Sequence, residues 1–94
     1  DSLVEHEHGM RRCLKDPDAI PTESYVAFVS LTYNIGVGAF CGSTARKRLD
    51  ANDLVGACNA ILAWNKGGRP LKEIRGLTIR RQAERDLCLK GART

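Results

Sequence analysis

Tyr33 and Asn34, followed by Gly36-Val37-Gly38, place an aromatic ring, an amide and two unhindered backbone positions close together in the sequence. An amide offers donors and an acceptor to hydroxyl or peptide groups, and a ring offers a face to the apolar patches of a sugar. Glycine lets a ligand come close to the main chain. On these residues alone Tyr33 reads first as core, and Gly-Val-Gly as a helix-ending turn. It is not a dinucleotide fingerprint, since no strand precedes it and the third glycine is absent. Arg80 and Arg81 are adjacent cations whose plain reading is a solvated pair. His6 and His8 alternate with Glu5 and Glu7; zinc on a helix needs i, i+4 spacing, so a solvated helix face is the better reading and no metal is expected. Nothing calls for a cofactor.

Cys13, Cys41, Cys58 and Cys88 contain no C-x-x-C pair, which leaves a structural zinc site poorly supported. An even count permits two disulfides, in three possible connectivities, in an oxidising compartment. Cys58 sits in an apolar stripe and reads alternatively as a small buried residue.

These groups must be carried by a single small domain. The 94 residues are 43% hydrophobic, enough for a core, with 15 basic against 11 acidic residues and a net charge of +4. The excess suits a phosphate- or carboxylate-rich partner (nucleic acid, anionic lipid or bacterial wall polymer) or simply a solvated surface. No apolar run approaches the roughly 20 residues of a membrane span. The start, Asp1 to His8, has neither the basic end nor the apolar stretch of a secretion signal and no initiator methionine, so the chain reads as part of a longer protein.

The periodicity is helical throughout. Leu3, Met10 and Leu14 suggest a first helix ending before Pro17. After a turn over 16–21, Thr22 is a natural N-cap, with Glu23 in the first turn. Tyr25, Phe28, Val29, Thr32 and Tyr33 then form one continuous face of a helix that Gly36 and Gly38 end. Ser43 can cap a short basic helix, and Asn52 or Asp53 another, with Leu54, Ala57, Cys58, Ile61 and Leu62 as its stripe. Residues 65–70 read as loop. A last helix over about 78–89 is expected to bury Ile79, Ala83 and Leu87, and Trp64 to pack in the core. No strands or repeats stand out. The expectation is an all-α compact bundle of about five helices.

Four stretches, in this order and spacing, make the chain resemble the phage-type lysozymes of glycoside hydrolase family 24, especially endolysins of lambdoid-phage type. They are residues 27–36 (Ala27 to Gly36), 38–44 (Gly38 to Thr44), 56–59 (Gly56 to Asn59) with Trp64, and 76–85 (Gly76 to Arg85). The resemblance covers roughly residues 20 to 90 and implies the C-terminal helical lobe of such an enzyme over 16–94, with 1–15 as the end of the helix joining the two lobes. It places Tyr33, Asn34, Gly36, Ser43 and Asn59 on the substrate side, although Ser43 on local evidence is only a cap and Asn59 could face solvent. It also implies that Arg80, or failing it Arg81, faces and pairs with the catalytic glutamate of the other lobe, fixing that carboxyl group and tuning its pKa.

The resemblance further implies what is absent. Family members cut the bond between N-acetylmuramic acid and N-acetylglucosamine in peptidoglycan. A glutamate of the N-terminal lobe is the general acid, and an aspartate or cysteine with a threonine places the attacking water. These are spaced as Glu, eight residues, Asp or Cys, five residues, Thr. Glu7, Asp16 and Thr22 have that spacing, but Tyr33 comes only eleven positions after Thr22, and no Gly-rich hairpin with a histidine follows. The match is read as accidental, so these residues contain no catalytic group and would be inactive alone. Peptidoglycan and the N-terminal lobe are the implied partners; for an endolysin the implied route is host cytoplasm to periplasm, with no export signal visible here. The alternative is a non-catalytic wall-binding module. A basic nucleic-acid binder using Arg46, Lys47, Arg48, Arg80, Arg81 and Arg85 is disfavoured because no recognition helix stands out.

Overall fold

The computed structural model describes residues 2–68 and 71–93. Six α-helices follow in order: α1 (Ser2–Cys13), α2 (Thr22–Ile35), α3 (Val37–Cys41), α4 (Thr44–Asp50), α5 (Leu54–Ala60) and α6 (Arg75–Ala92). Single 3₁₀ turns lie at Pro17–Ala19 and Ile61–Ala63. The Cα radius of gyration, 12.5 Å, matches the roughly 12 Å of a compact chain this long. The expected all-α bundle is what forms.

The organising pair is α2 against α6. From α2, Ser24, Ala27, Phe28, Leu31 and Thr32 are buried, the i, i+3, i+4 pattern of an amphipathic helix. Phe28 and Phe40 meet with ring centroids 6.2 Å apart, and Met10, Ala45, Ala57, Cys58, Ile61 and Cys88 close the core around them. Burying a side chain such as Phe28 is worth about 1.5–3 kcal/mol. Trp64 is half-buried and packs on the edge of this core.

Several boundaries follow from capping. Ser43 accepts a hydrogen bond from Arg46 N (3.1 Å) and starts α4; Asp53 accepts one from Gly56 N (3.0 Å) and starts α5. Thr22 is already helical and the cap position falls to Pro21, whose carbonyl accepts from Tyr25 N.

The buried face of α2 is also rotated from the expected one, with Tyr25 and Val29 only half-buried and Tyr33 exposed, and three further expectations change. The last helix begins three residues earlier than expected and buries Arg81, Glu84, Cys88 and Gly91, leaving Ile79 and Ala83 exposed and Leu87 half-buried. Gly91 is what lets α6 close on α2: a Cβ there would stand 2.7 Å from Ser24 N. Second, the loop after Trp64 contains a two-rung antiparallel ladder, β1 (Lys66–Gly67) on β2 (Lys72–Glu73), where no strand was expected; strands two residues long carry no readable alternation. Arg69 and Pro70 of the predicted loop lie outside the described residues. Third, the cysteines choose among their possibilities: Cys13 bonds Cys41 (Cα–Cα 5.9 Å), joining α1 to α3, and Cys58 bonds Cys88 (Cα–Cα 5.5 Å), joining α5 to α6.

Candidate functional site

The C-terminal end of α2 presents Tyr33 and Asn34 outward. They stand three and four residues after Ser30 and so share its side of the helix. Tyr33 is 48% exposed, so its ring is not the core residue that periodicity alone permitted. Gly36 stops the helix with φ +95°, a backbone conformation glycine adopts freely, and donates its N–H to the Thr32 carbonyl at 2.8 Å. Nothing lies within 4 Å of where a Cβ would stand, so the backbone at Gly36 is sterically open. The edge of Tyr33 is met by His6 of α1 at a centroid distance of 5.1 Å and 67°.

Beside Tyr33 runs an apolar groove between α1 and α2, lined by Leu3, Glu7, Tyr25, Val26, Val29, Ser30 and Tyr33. At its far side the Tyr25 hydroxyl donates to Glu7 and accepts from Arg11 (3.1 Å), while Arg11 also holds Asp18 at 2.5 Å. Burial, then the Glu7 acceptor, pushes the Tyr25 phenol above its usual pKa, so it stays a proton donor. The Arg11 guanidinium is held firmly protonated, first by Asp18 and then by Tyr25. Glu7 is thus tied into a structural network. Thr22 lines the polar cleft on the same side as Glu7, but Asp16 lines a separate groove with Lys15, Ile20 and Asp50.

The α6 side carries a buried ionic cluster that the sequence did not announce. Glu84, 6% exposed, accepts from Ser30 Oγ at 2.5 Å and from Arg81 Nη2 at 3.2 Å. Arg81 Nε stands 2.8 Å from the other carboxylate oxygen, off the hydrogen-bonding line but in ion-pair contact. Burial pulls the Arg81 pKa below its ordinary value; Glu84 opposes this and the neighbouring Arg80 charge adds to it. Arg80 is 52% exposed on its side chain, with Nε 3.9 Å from Glu84. The two adjacent arginines therefore differ in kind: Arg81 is a core ion-pair partner, and Arg80 a cation on the surface above the same carboxylate. The i+3 and i+4 spacing from Arg81 and Arg80 to Glu84 was the available signal.

Ser43 and Asn59 stand apart from this constellation. Ser43 is buried, and its hydroxyl donates to Phe40 O (2.6 Å) while capping α4. Asn59 is exposed on α5, which packs on α4 and α6. The structure thus brings together Tyr33, Asn34 and Gly36, and through Ser30 and Glu84 sets Arg80 and Arg81 beside the same α2 face. Among the described residues no group of three or more His, Cys, Asp or Glu side chains could hold a metal ion, and no helix is long and apolar enough to cross a membrane.

Fold and site together define a small, disulfide-stapled helical domain with an aromatic-amide corner and a cationic helix start on neighbouring elements. The family model described as phage lysozyme matches residues 1–84. The chain is 39% identical over 72 residues to the SAR-endolysin of Enterobacteria phage P21, covering 77% of this chain and 42% of that protein. It is 37% identical over 91 residues to the endolysin of Bacillus phage B103, covering 97% of this chain and 33% of that one. The solved endolysin from Escherichia coli O157:H7 phage FAHEc1 superposes with a TM-score of 0.86 at 31% identity, covering 94% of this chain and 56% of the other. The chain belongs to the phage lysozyme family, and it spans less than half the length of these two phage relatives.

Proposed function

We propose that these residues supply one wall of the substrate cleft of a peptidoglycan-cleaving muramidase, with 16–94 as its C-terminal lobe and 1–15 as the end of the helix that joins the lobes. The observation that carries this reading is the exposed Tyr33-Asn34 pair at the open Gly36 turn, in a chain of the phage lysozyme family. The ring stacks on a sugar face, Asn34 bonds its hydroxyl or acetamido groups, and the Gly36 backbone allows close approach. Arg80 supplies a positive charge toward the general-acid carboxyl of the other lobe, and Glu84 with Ser30 holds the middle of α6 against α2. Asn59 contributes from the exposed side of α5, and Ser43 acts from within, by capping α4. Turnover needs the acid and the water-placing residues of the N-terminal lobe. In a phage setting the enzyme is made in the host cytoplasm and acts in the periplasm.

Dye release from labelled peptidoglycan by this chain, beside Glu7→Gln and a two-lobe muramidase, tests the reading. No release with an active control, together with glycan affinity that falls in Tyr33→Ala, is the expected result. Release that Glu7→Gln abolishes would make Glu7, Asp16 and Thr22 a working active site and overturn the proposal.

A further inference from the structure

Helix α1 is fastened to the rest of the domain by few and dissimilar anchors. Of its twelve residues only Gly9 and Met10 are buried, with Leu14 just beyond its end. Gly9 packs so close to Val37 that a Cβ would meet a valine methyl at 2.7 Å. The polar anchors, Glu7 and Arg11 on Tyr25 and Arg11 on Asp18, line a cleft open to solvent. His6 meets the edge of Tyr33, and a covalent anchor, Cys13 to Cys41, closes the end of the helix.

The two disulfides sit in contrasting surroundings. Cys58 and Cys88 are both 0% exposed, and the Cys88 carbonyl accepts a buried hydrogen bond from Ser24 of α2. Cys13 and Cys41 are only half-buried, at the rim of the core. Thiol–disulfide exchange needs a thiolate to reach a sulfur along its bond axis, so access decides which bridge reacts. Reaching Cys58–Cys88 requires opening the α2–α6 core; reaching Cys13–Cys41 requires only fraying at the end of α1.

We propose that Cys13–Cys41 is a redox latch on α1: its reduction frees this helix from α2 and α3, while the body built on α2, α5 and α6 stays folded around Cys58–Cys88. In the exchange a dithiol reductant's thiolate attacks one sulfur, the S–S bond breaks, and the other sulfur leaves and takes up a proton. The reductant's second thiol then displaces the protein from the mixed disulfide, giving two protein thiols and a cyclic reductant disulfide. The protein gains two electrons and two protons. Because α1 carries Leu3, His6 and Glu7, the latch decides whether the groove beside Tyr33 has its second wall. A thiol-rich cytosol favours the open form and an oxidising compartment the docked one. The link to substrate rests on the muramidase reading; the latch itself does not.

The test is timed reduction of the chain with dithiothreitol, alkylation with iodoacetamide, and peptide mass spectrometry, followed by hydrogen exchange. Cys13 and Cys41 should label at least about tenfold faster than Cys58 and Cys88, because only their access is free of core opening. The singly reduced species should lose exchange protection over residues 2–13 and keep it over 24–32 and 81–91. Cys13→Ser/Cys41→Ser should reproduce that pattern without reductant. Both bridges opening together, Cys58–Cys88 opening first, a singly reduced species that unfolds as a whole, or a double variant that fails to fold would each overturn the latch. None of these readouts involves glycan or turnover, so failure here is distinguishable from failure of the muramidase reading.

Discussion

Replacing Arg81 by methionine removes a cation from a site where its side chain is 1% exposed and leaves the Glu84 carboxylate, 7% exposed, facing only Ser30 and the more distant Arg80. The Coulomb attraction of a buried pair is largely cancelled by the desolvation of both ions, so the pair as a unit adds little. Breaking it is different, because an uncompensated buried charge costs about 3–5 kcal/mol. Against a total stability of roughly 5–15 kcal/mol, Arg81→Met should shift the folding equilibrium by a hundredfold or more. With a urea m-value of about 1 kcal/mol/M for a domain this small, the midpoint should fall by about 3 M. Arg81→Met/Glu84→Met should recover most of that loss, ending within about 1 kcal/mol of the parent, because only the Ser30 hydroxyl then lacks its acceptor. Arg80→Met should stay within about 0.5 kcal/mol, as expected of an exposed residue. Urea unfolding of these four proteins together with Glu84→Met, followed by far-UV circular dichroism, closes the Arg81–Glu84 cycle. Arg81→Met costing under 1 kcal/mol, or a double variant weaker than the single one, would refute the assignment of Arg81 as the ion-pair partner of Glu84.

Two further outcomes follow from the same geometry. Cys58→Ala/Cys88→Ala opens a closed loop of about 30 residues and should cost about 3.5 kcal/mol by the chain-entropy relation, read from urea midpoints under oxidising conditions; a midpoint equal to the parent's would contradict it. For Asp50, burial opposes ionisation, but the Lys15 N–H at 3.0 Å and the Arg46 guanidinium at 3.0 Å outweigh it and hold the carboxyl below its usual pKa. A depressed folded pKa gives stability that is present above the unfolded value of about 3.9 and lost as pH falls through the folded one. Asp50→Asn should therefore be about 1 kcal/mol weaker than the parent at pH 7, and the gap should close in strongly acidic buffer. Thermal unfolding at both pH values measures this, and a gap that does not change with pH would show the carboxylate charge to be irrelevant.

Much of the architecture was legible because α2 and α5 follow simple rules. Phe28 and Thr32 of the expected α2 face are buried, as are Ala57 and Cys58 of α5 and Ile61 in the turn after it, and Ser43 and Asp53 are cap residues where caps are needed. The last helix was misread for a reason equally simple. Its buried face is Arg81, Glu84, Cys88 and Gly91, two charges, a half-cystine and a glycine, so a count of apolar residues picks Ile79 and Ala83 on the wrong side. Hydrophobic periodicity assumes that charge stays outside, and a paired, hydrogen-bonded ion pair breaks that assumption. The disulfide partners were also hidden, because a choice among three pairings is made by the fold and not by spacing.

The site shows the same division. Tyr33, Asn34 and Gly36 could be grouped from sequence because they are local, three residues at one helix end, and the structure leaves Tyr33 and Asn34 exposed there. What connects them to α6 is not local: Ser30 Oγ reaches Glu84 across 54 positions of sequence, and Glu84 in turn holds Arg81 inside and stands below Arg80. That carboxylate sorts two identical neighbours into a structural cation and a surface cation, a distinction that no reading of the dipeptide Arg80-Arg81 could supply. Apolar packing alone would also seat the two helices against each other. What the Ser30–Glu84 hydrogen bond adds is a directional tie between α2 and α6, while the Glu84–Arg81 pair lies within α6 itself.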